Sequence, residues 1–198
     1  MAKMGAALPV GFDDPVADSR AVFRIVLTAL SRPGTTLACL CRCAAPAPFL
    51  PAAGAIGLAL LDGDTPTWLD DELNTEPVRT FLRFHAGVPI ATDPARAAYA
   101  FVACPAAMPP LDRFAAGSSL APEQSTTIVV QVPSLRDGAA VTLEGPGIET
   151  TTSVRPVGLP PWFWSAWDRN HAGFPCGVDL VLTDGRDLVG LPRTTSRR

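Results

Sequence analysis

Residues 122–148, read PEQSTTIVVQVPSLRDGAAVTLEGPGI, constrain the fold of this chain more than any other stretch. Thr126 to Val132 is a β-branched run of strand length, too apolar to be exposed on both faces. Pro133 stops it, because proline has no N–H to give a ladder. Arg136-Asp137-Gly138 reads as a turn. Ala139 to Glu144 resumes as a strand, with Val141 and Leu143 on one face and Thr142 and Glu144 on the other. Gly145-Pro146-Gly147 turns the chain again before Ile148. The pattern predicts two adjacent antiparallel strands near the centre of a sheet, with the rest packed around them.

The segments before that stretch alternate helix and strand. Asp13 or Asp14 caps a helix with Pro15 at its first position, where a missing N–H costs nothing. Its apolar stripe is Val16, Phe23, Val26, Leu27 and Leu30, with Arg20 and Arg24 along one edge, and Pro33-Gly34 ends it. Thr35 to Cys43 alternates as a strand. Pro51 opens a helix to Leu61 that is apolar nearly all round and therefore expected to be buried. Thr65 to Leu69 is a short strand. Thr75 caps a third helix, which Gly87 closes. Asp93-Pro94 and Pro109 to Ala116 give short helices on either side of a buried strand, Tyr99 to Ala103.

After the central stretch, Thr150 to Val154 is β-prone. Pro160-Pro161 opens a tryptophan-rich helix that Gly173 ends. Val178 to Leu182, the turn Asp184-Gly185 and Asp187 to Gly190 form a hairpin. No repeat or linker divides the chain. The reading is α/β: one three-layer domain over residues 1–198, a mixed central sheet covered by helices, with loose ends at 1–12 and 194–198.

Composition removes several classes of function. With 47% hydrophobic and 18% charged residues the chain has enough apolar surface for a core. A net charge of −3 leaves no basic excess for nucleic acid. No apolar run has the length of a membrane span, and no signal-peptide core precedes Pro15, so a soluble cytoplasmic protein is expected. Five cysteines, an odd number, do not suggest a disulfide framework. Lys3 is the only lysine. A Schiff-base lysine must be held rigidly and desolvated, so pyridoxal phosphate chemistry is not expected from a residue so near the terminus.

The chemistry-bearing residues form no self-sufficient constellation. Cys39, Cys41 and Cys43 would share one face of a strand, with Cα atoms about 6.5 Å apart. They could hold a metal with a fourth ligand, but small core residues are the favoured reading. His85 and His171 lie near helix ends, where the dipole suits them. Hydrolase-elbow, zincin and P-loop motifs are missing from the sequence. Gly145-Pro146-Gly147 reads as a structural turn rather than a phosphate cradle. Glu123 and Gln124 are polar groups at a sheet end, where ligands often sit. Trp162, Trp164 and Trp167 divide between core and an exposed anchor for a partner. Asp179, inside an apolar strand, either faces solvent or pairs with an arginine in a buried site. Arg193 belongs to a basic tail, either frayed or docked on an acidic partner.

Ordered motifs across the chain carry a resemblance. They are Asp14, Val16, Ser19, Phe23 and Arg24; Ser31-Arg32-Pro33-Gly34; Leu61-Asp62 with Thr65; Pro122-Glu123-Gln124-Ser125; Gly145-Pro146-Gly147-Ile148; Pro175 with Gly177-Val178-Asp179; and Leu191-Pro192-Arg193-Thr194-Thr195. Together they resemble the H-subunit family of the bacterial carbon–phosphorus lyase system, which degrades phosphonates. The resemblance implies a fold similar to the large domain of pyridoxal-phosphate-dependent transferases, without the cofactor. It implies assembly with the G, I and J subunits. It also implies a requirement, with the G, I and L subunits, for joining alkylphosphonate to the ribose of ATP and displacing adenine. It carries over no catalytic residue, cofactor or metal. Glu123, Gln124, Asp179 and Arg193 stand as motif positions able to meet a ligand or a partner. Two other classes stay open: a thiol or metal enzyme built on Cys39, Cys41 and Cys43, and a homodimeric small-molecule binder.

Overall fold

The structure, a computed structural model, describes residues 10–198. Lys3 and most of the expected loose segment 1–12 lie outside them. The elements are α1 (Pro15–Ser31), β1 (Leu37–Ala38), α2 (Pro51–Leu60), β2 (Thr67–Leu69), α3 (Glu76–Ala86), β3 (Ile90–Ala91), β4 (Tyr99–Val102), β5 (Thr127–Gln131), β6 (Val141–Glu144), β7 (Thr152–Val154), α4 (Phe163–Ala172), β8 (Asp179–Thr183), β9 (Asp187–Leu191) and β10 (Ser196–Arg197). Seven strands form a mixed sheet in the order β1-β9-β8-β5-β4-β2-β3. From β8 to β3 every neighbour is parallel, whereas β9 runs antiparallel to both β8 and β1. A second sheet has the order β10-β6-β7 and is antiparallel throughout.

The helix boundaries follow from local chemistry. Asp14 accepts from the amides of Val16 and Ala17, at 3.2 and 3.0 Å, and Pro15 starts α1. Thr75 caps α3, and Gly87, in the left-handed region at φ 69°, closes it. These amides and carbonyls would otherwise go unpaired at the helix ends.

The alternation of β5 divides the interior in two. Val129 joins one core with α1, α2 and α3, including Val22, Val26, Ile56, Phe81 and Phe101. Ile128 and Val130 join the other, with Phe163, Trp167, Leu143, Val154 and Leu180. Each such side chain, buried fully, contributes about 1.5–3 kcal/mol. Helices α1 to α3 cover one face of the large sheet. Helix α4, the small sheet and the short 3-10 turns cover the other.

Two expectations are corrected here. The strands β5 and β6 are not partners: β5 sits inside the large sheet and β6 belongs to the small one. Both faces of β5 are buried, so it needs parallel neighbours on a sheet covered twice. The half-buried pattern of β6 suits a sheet packed on one side. The tail is not loose over 194–198. Ser196 and Arg197 pair with Glu144 and Leu143, and Thr195 is buried. Phe12, within the other segment expected to be loose, is buried and bridged to Cys43. Gly147, at φ 85°, lies so close to Ser31 that a Cβ would stand 2.2 Å from its carbonyl oxygen. The Gly-Pro-Gly turn is thus a packing element.

The carboxyl ends of the parallel strands are closed by the chain's own side chains. Buried Asp70, following β2, accepts from the amides of Leu73, Ala103 and Cys104 at 2.8–2.9 Å. Gln131 at the end of β5 accepts from the Leu50 amide and donates to the Pro48 carbonyl. Thr183 at the end of β8 donates to the Asp187 carbonyl and accepts from the Gly185 amide. Replacing Asp70 by Ala strands three amides in or near the core. The expected loss in unfolding free energy is about 3 kcal/mol, measured by urea denaturation.

Candidate functional site

Three motif segments converge at the amino ends of β5 and β8. They are Pro122 to Ser125 before β5, Pro175 to Asp179 leading into β8, and Pro192 to Thr195 after β9. Arg193 holds them together. Its Nε donates to Asp179 Oδ1 at 3.1 Å and its Nη2 to Asp179 Oδ2 at 2.5 Å. Nη1 donates to the carbonyls of Pro122 and Pro175, at 2.9 and 3.3 Å. Nη2 also donates to Ser125 Oγ. The backbone amide of Arg193 reaches Asp179 Oδ1 at 2.7 Å.

A guanidinium has five N–H donors, and each has a partner here. The Arg193 and Asp179 side chains are only 12% and 20% exposed. Of the two sequence readings of Asp179, pairing with an arginine is therefore the one observed. Tyr99 lies in register with Thr127 and Asp179 across β4, β5 and β8. Burial first, and then the charge of Asp179, push its phenol above the ordinary value.

Helix α4 braces the same corner. The Asn170 side chain donates to the Val178 carbonyl at 2.9 Å and accepts from its amide at 2.8 Å. A Cβ at Gly177 would stand 2.9 Å from Asn170 Oδ1, so glycine permits this approach. His171 Nδ1 lies 3.0 Å from the Arg193 carbonyl.

The surface over this clasp is apolar. Pro122, Phe174, Pro175, Pro192 and Thr194 line a shallow depression of about 300 Å3, with Glu123 at its side. Glu123 and Gln124 are exposed. They sit at the amino end of the parallel strands, whereas ligands of open α/β sheets bind outside the carboxyl ends. The arrangement fixes a surface. Its cation and carboxylate are spent on each other, so it offers neither a nucleophile nor an anion clamp.

The tryptophans divide differently from the expectation of an exposed anchor. Trp167 is fully buried and donates from Nε1 to the Thr195 carbonyl at 3.0 Å. Trp162 and Trp164 are half-buried against the same core. The exposed aromatic of this region is Phe174, at 60%. Sequence reasoning passed over it, because it carries no local signal of its place.

The cysteine stretch is not a continuous strand. Only Leu37 and Ala38 pair in a ladder, and Cys43 makes an isolated bridge. Cys39 and Cys43 are buried in the helix-side core. Burial pushes the Cys43 thiol up to about 12. Burial and then Cys41 raise Cys39; burial and then Asp18 raise Cys41. Thiolates are the nucleophiles and metal ligands, so this environment works against the thiol or metal alternative. Among the described residues no group of three metal-ligating side chains converges, and no helix is long and apolar enough to cross a membrane.

Residues 10–198 match the family model of the bacterial phosphonate metabolism protein, PhnH. A relative from Rhizobium meliloti (strain 1021), named alpha-D-ribose 1-methylphosphonate 5-triphosphate synthase subunit PhnH, is 39% identical over 184 residues, covering 93% of this chain and 92% of its own. A putative C-P lyase subunit protein, HtxG, from Stutzerimonas stutzeri is 39% identical over 79 residues, 40% of each chain.

Arg193→Ala leaves the Asp179 carboxylate half-buried and unpaired, and should cost about 2–4 kcal/mol in urea denaturation. Arg193→Lys keeps the charge but loses the planar fork, so an intermediate loss is expected. With its thiol pushed up to about 12, Cys43 stays protonated at pH 8. Alkylation followed by peptide mass mapping should therefore modify Cys39 and Cys43 only after unfolding. The folded state holds these protons above the pH where the unfolded chain releases them, near the ordinary value of 9.0. The stabilising effect is full below that pH and is lost as pH rises, for Cys43 towards about 12. The melting temperature should fall across that window, and less steeply in Cys43→Ala.

Proposed function

The chain belongs to the bacterial phosphonate metabolism protein family PhnH, and on that premise we propose that it works as a subunit of a carbon–phosphorus lyase complex. Two relatives support the reading: one is named as a subunit of a ribose 1-methylphosphonate triphosphate synthase and the other as a putative C-P lyase subunit. The reaction proposed for the assembly joins alkylphosphonate to the ribose of ATP and releases adenine. The partners proposed are the G, I and J subunits for assembly, and G, I and L for that step.

The observation that carries a supporting rather than a self-sufficient role is the Arg193 clasp. The residues that the motifs bring together consume one another's hydrogen-bonding capacity and present an apolar surface. Glu123 and the Phe174 depression are thereby proposed as a partner-facing surface, with Asp179 and Arg193 as the groups that hold its shape. Trp162 and Trp164, half-buried at the start of α4, are proposed as further partner-contact residues. The finer reading of the fold, a likeness to the large domain of pyridoxal-phosphate-dependent transferases without the cofactor, belongs to the same proposal. It rests on the family resemblance, the seven-stranded mixed sheet and the lone Lys3.

Adenine release from ATP with methylphosphonate, followed by chromatography, tests the role. The isolated chain should release none above background, and release should require the partner subunits. Adenine release by the pure chain at the rate of the assembly would overturn the supporting role.

A further inference from the structure

Helix α1 is apolar on two faces, and the fold uses only one. Val22, Val26 and Ala29 are buried against α2 and the large sheet. Val16, Phe23 and Leu27 follow one another at seven and four residues along a neighbouring face, and are 81%, 51% and 56% exposed. Such spacing places them in one stripe. A groove of about 600 Å3 opens beside the first turn of the same helix, lined by Pro15, Ser19, Val10, Leu58 and Phe84. Phe84 and Val10 are themselves exposed there. Apolar surface gathered in this way, rather than scattered singly, marks an interaction face.

The charges on this face identify its occupant. Arg20 and Arg24 border Phe23 on the exposed side of α1. Neither is in an ion pair among the described residues. A second copy docked through the same stripe would need a two-fold axis near residue 22, because an isologous contact uses one patch twice. That axis sets Arg20 of each copy opposite Arg24 of the other, with like charges meeting at the centre. A different chain avoids this conflict if it presents an apolar ridge with carboxylates at its rim.

We propose that the outer face of α1, with Val16, Phe23 and Leu27 as its apolar stripe and Arg20 and Arg24 as its cationic flank, docks a partner subunit whose apolar ridge is bordered by Asp or Glu. The inference rests on the subunit reading above and says which face of the chain the assembly covers.

The test is co-purification of the tagged chain with its co-expressed partner subunits, comparing wild type, Phe23→Glu with Leu27→Glu, and Arg20→Glu with Arg24→Glu. All four positions are exposed, so a thermal melt close to wild type certifies the fold. The apolar pair should reduce captured partner at least tenfold. The charge reversal should weaken capture several-fold, and wild-type capture should fall as salt rises. A wild-type complex that both variants form equally well would overturn the inference alone. No complex with wild type would overturn the subunit reading, and this inference with it. Sizing of the isolated chain adds one more outcome: a wild-type dimer that the apolar pair converts to monomer would assign the face to a second copy and overturn the choice of occupant.

Discussion

A sheet whose middle strands are apolar on both faces has to be covered twice. β5 and β8 impose this requirement, and the rest of the architecture answers it. Helices α1 to α3 answer it on one side, with side-chain caps on α1 and α3 and a continuous core. The other side is assembled from smaller pieces: α4, a three-stranded sheet and several short turns. Such pieces bury little individually, so they depend on polar ties between them. Trp167 bonds the tail, Asn170 bonds the lead into β8, and Arg193 draws three loops to one point. The hydrogen bonds of the second layer do the positioning that long helices do for the first.

This gives Arg193 a role that its chemistry alone would not suggest. A conspicuous arginine in a phosphonate-related family invites assignment to an anionic substrate. Its five donors are instead distributed over Asp179, Ser125 and two proline-residue carbonyls. Releasing it for an anion would strand Asp179 at a site where that carboxylate is mostly shielded from water. The geometry therefore couples the recurring motifs to shape, and the function of the corner lies in the surface it displays.

The sequence made helices legible wherever a cap was local. Asp14-Pro15, Thr75 with Gly87, and Asp184-Gly185 each announce a boundary within a few residues. The hairpin β8–β9 was readable for the same reason. Pairing between distant segments left no such mark. β5 and β6 are neighbours in the chain and strangers in the sheet, because β5 lies between β4 and β8, the latter far along the sequence. The stripe of α1 misled in another way. One periodicity served two faces, and Val16, Phe23 and Leu27 satisfied the pattern without entering the core. At the candidate site, Asp179 was recognisable as an anomaly in an apolar strand. Its partner Arg193 read as part of a basic tail, either frayed or docked on an acidic partner, since nothing local to the last residues records β10.

The parallel seam between β5 and β8 has a kinetic meaning. Everything from Pro133 to Val178, including the small sheet's first two strands and α4, is threaded between these two strands. The seam closes only by paying the entropy of that long loop, and the loop gains its own order mainly by docking on the closed seam. Neither half is a stepping stone for the other. The centre of the large sheet and the part of the second layer built from β6, β7 and α4 are thus coupled in one unit rather than a set of independently frayed pieces.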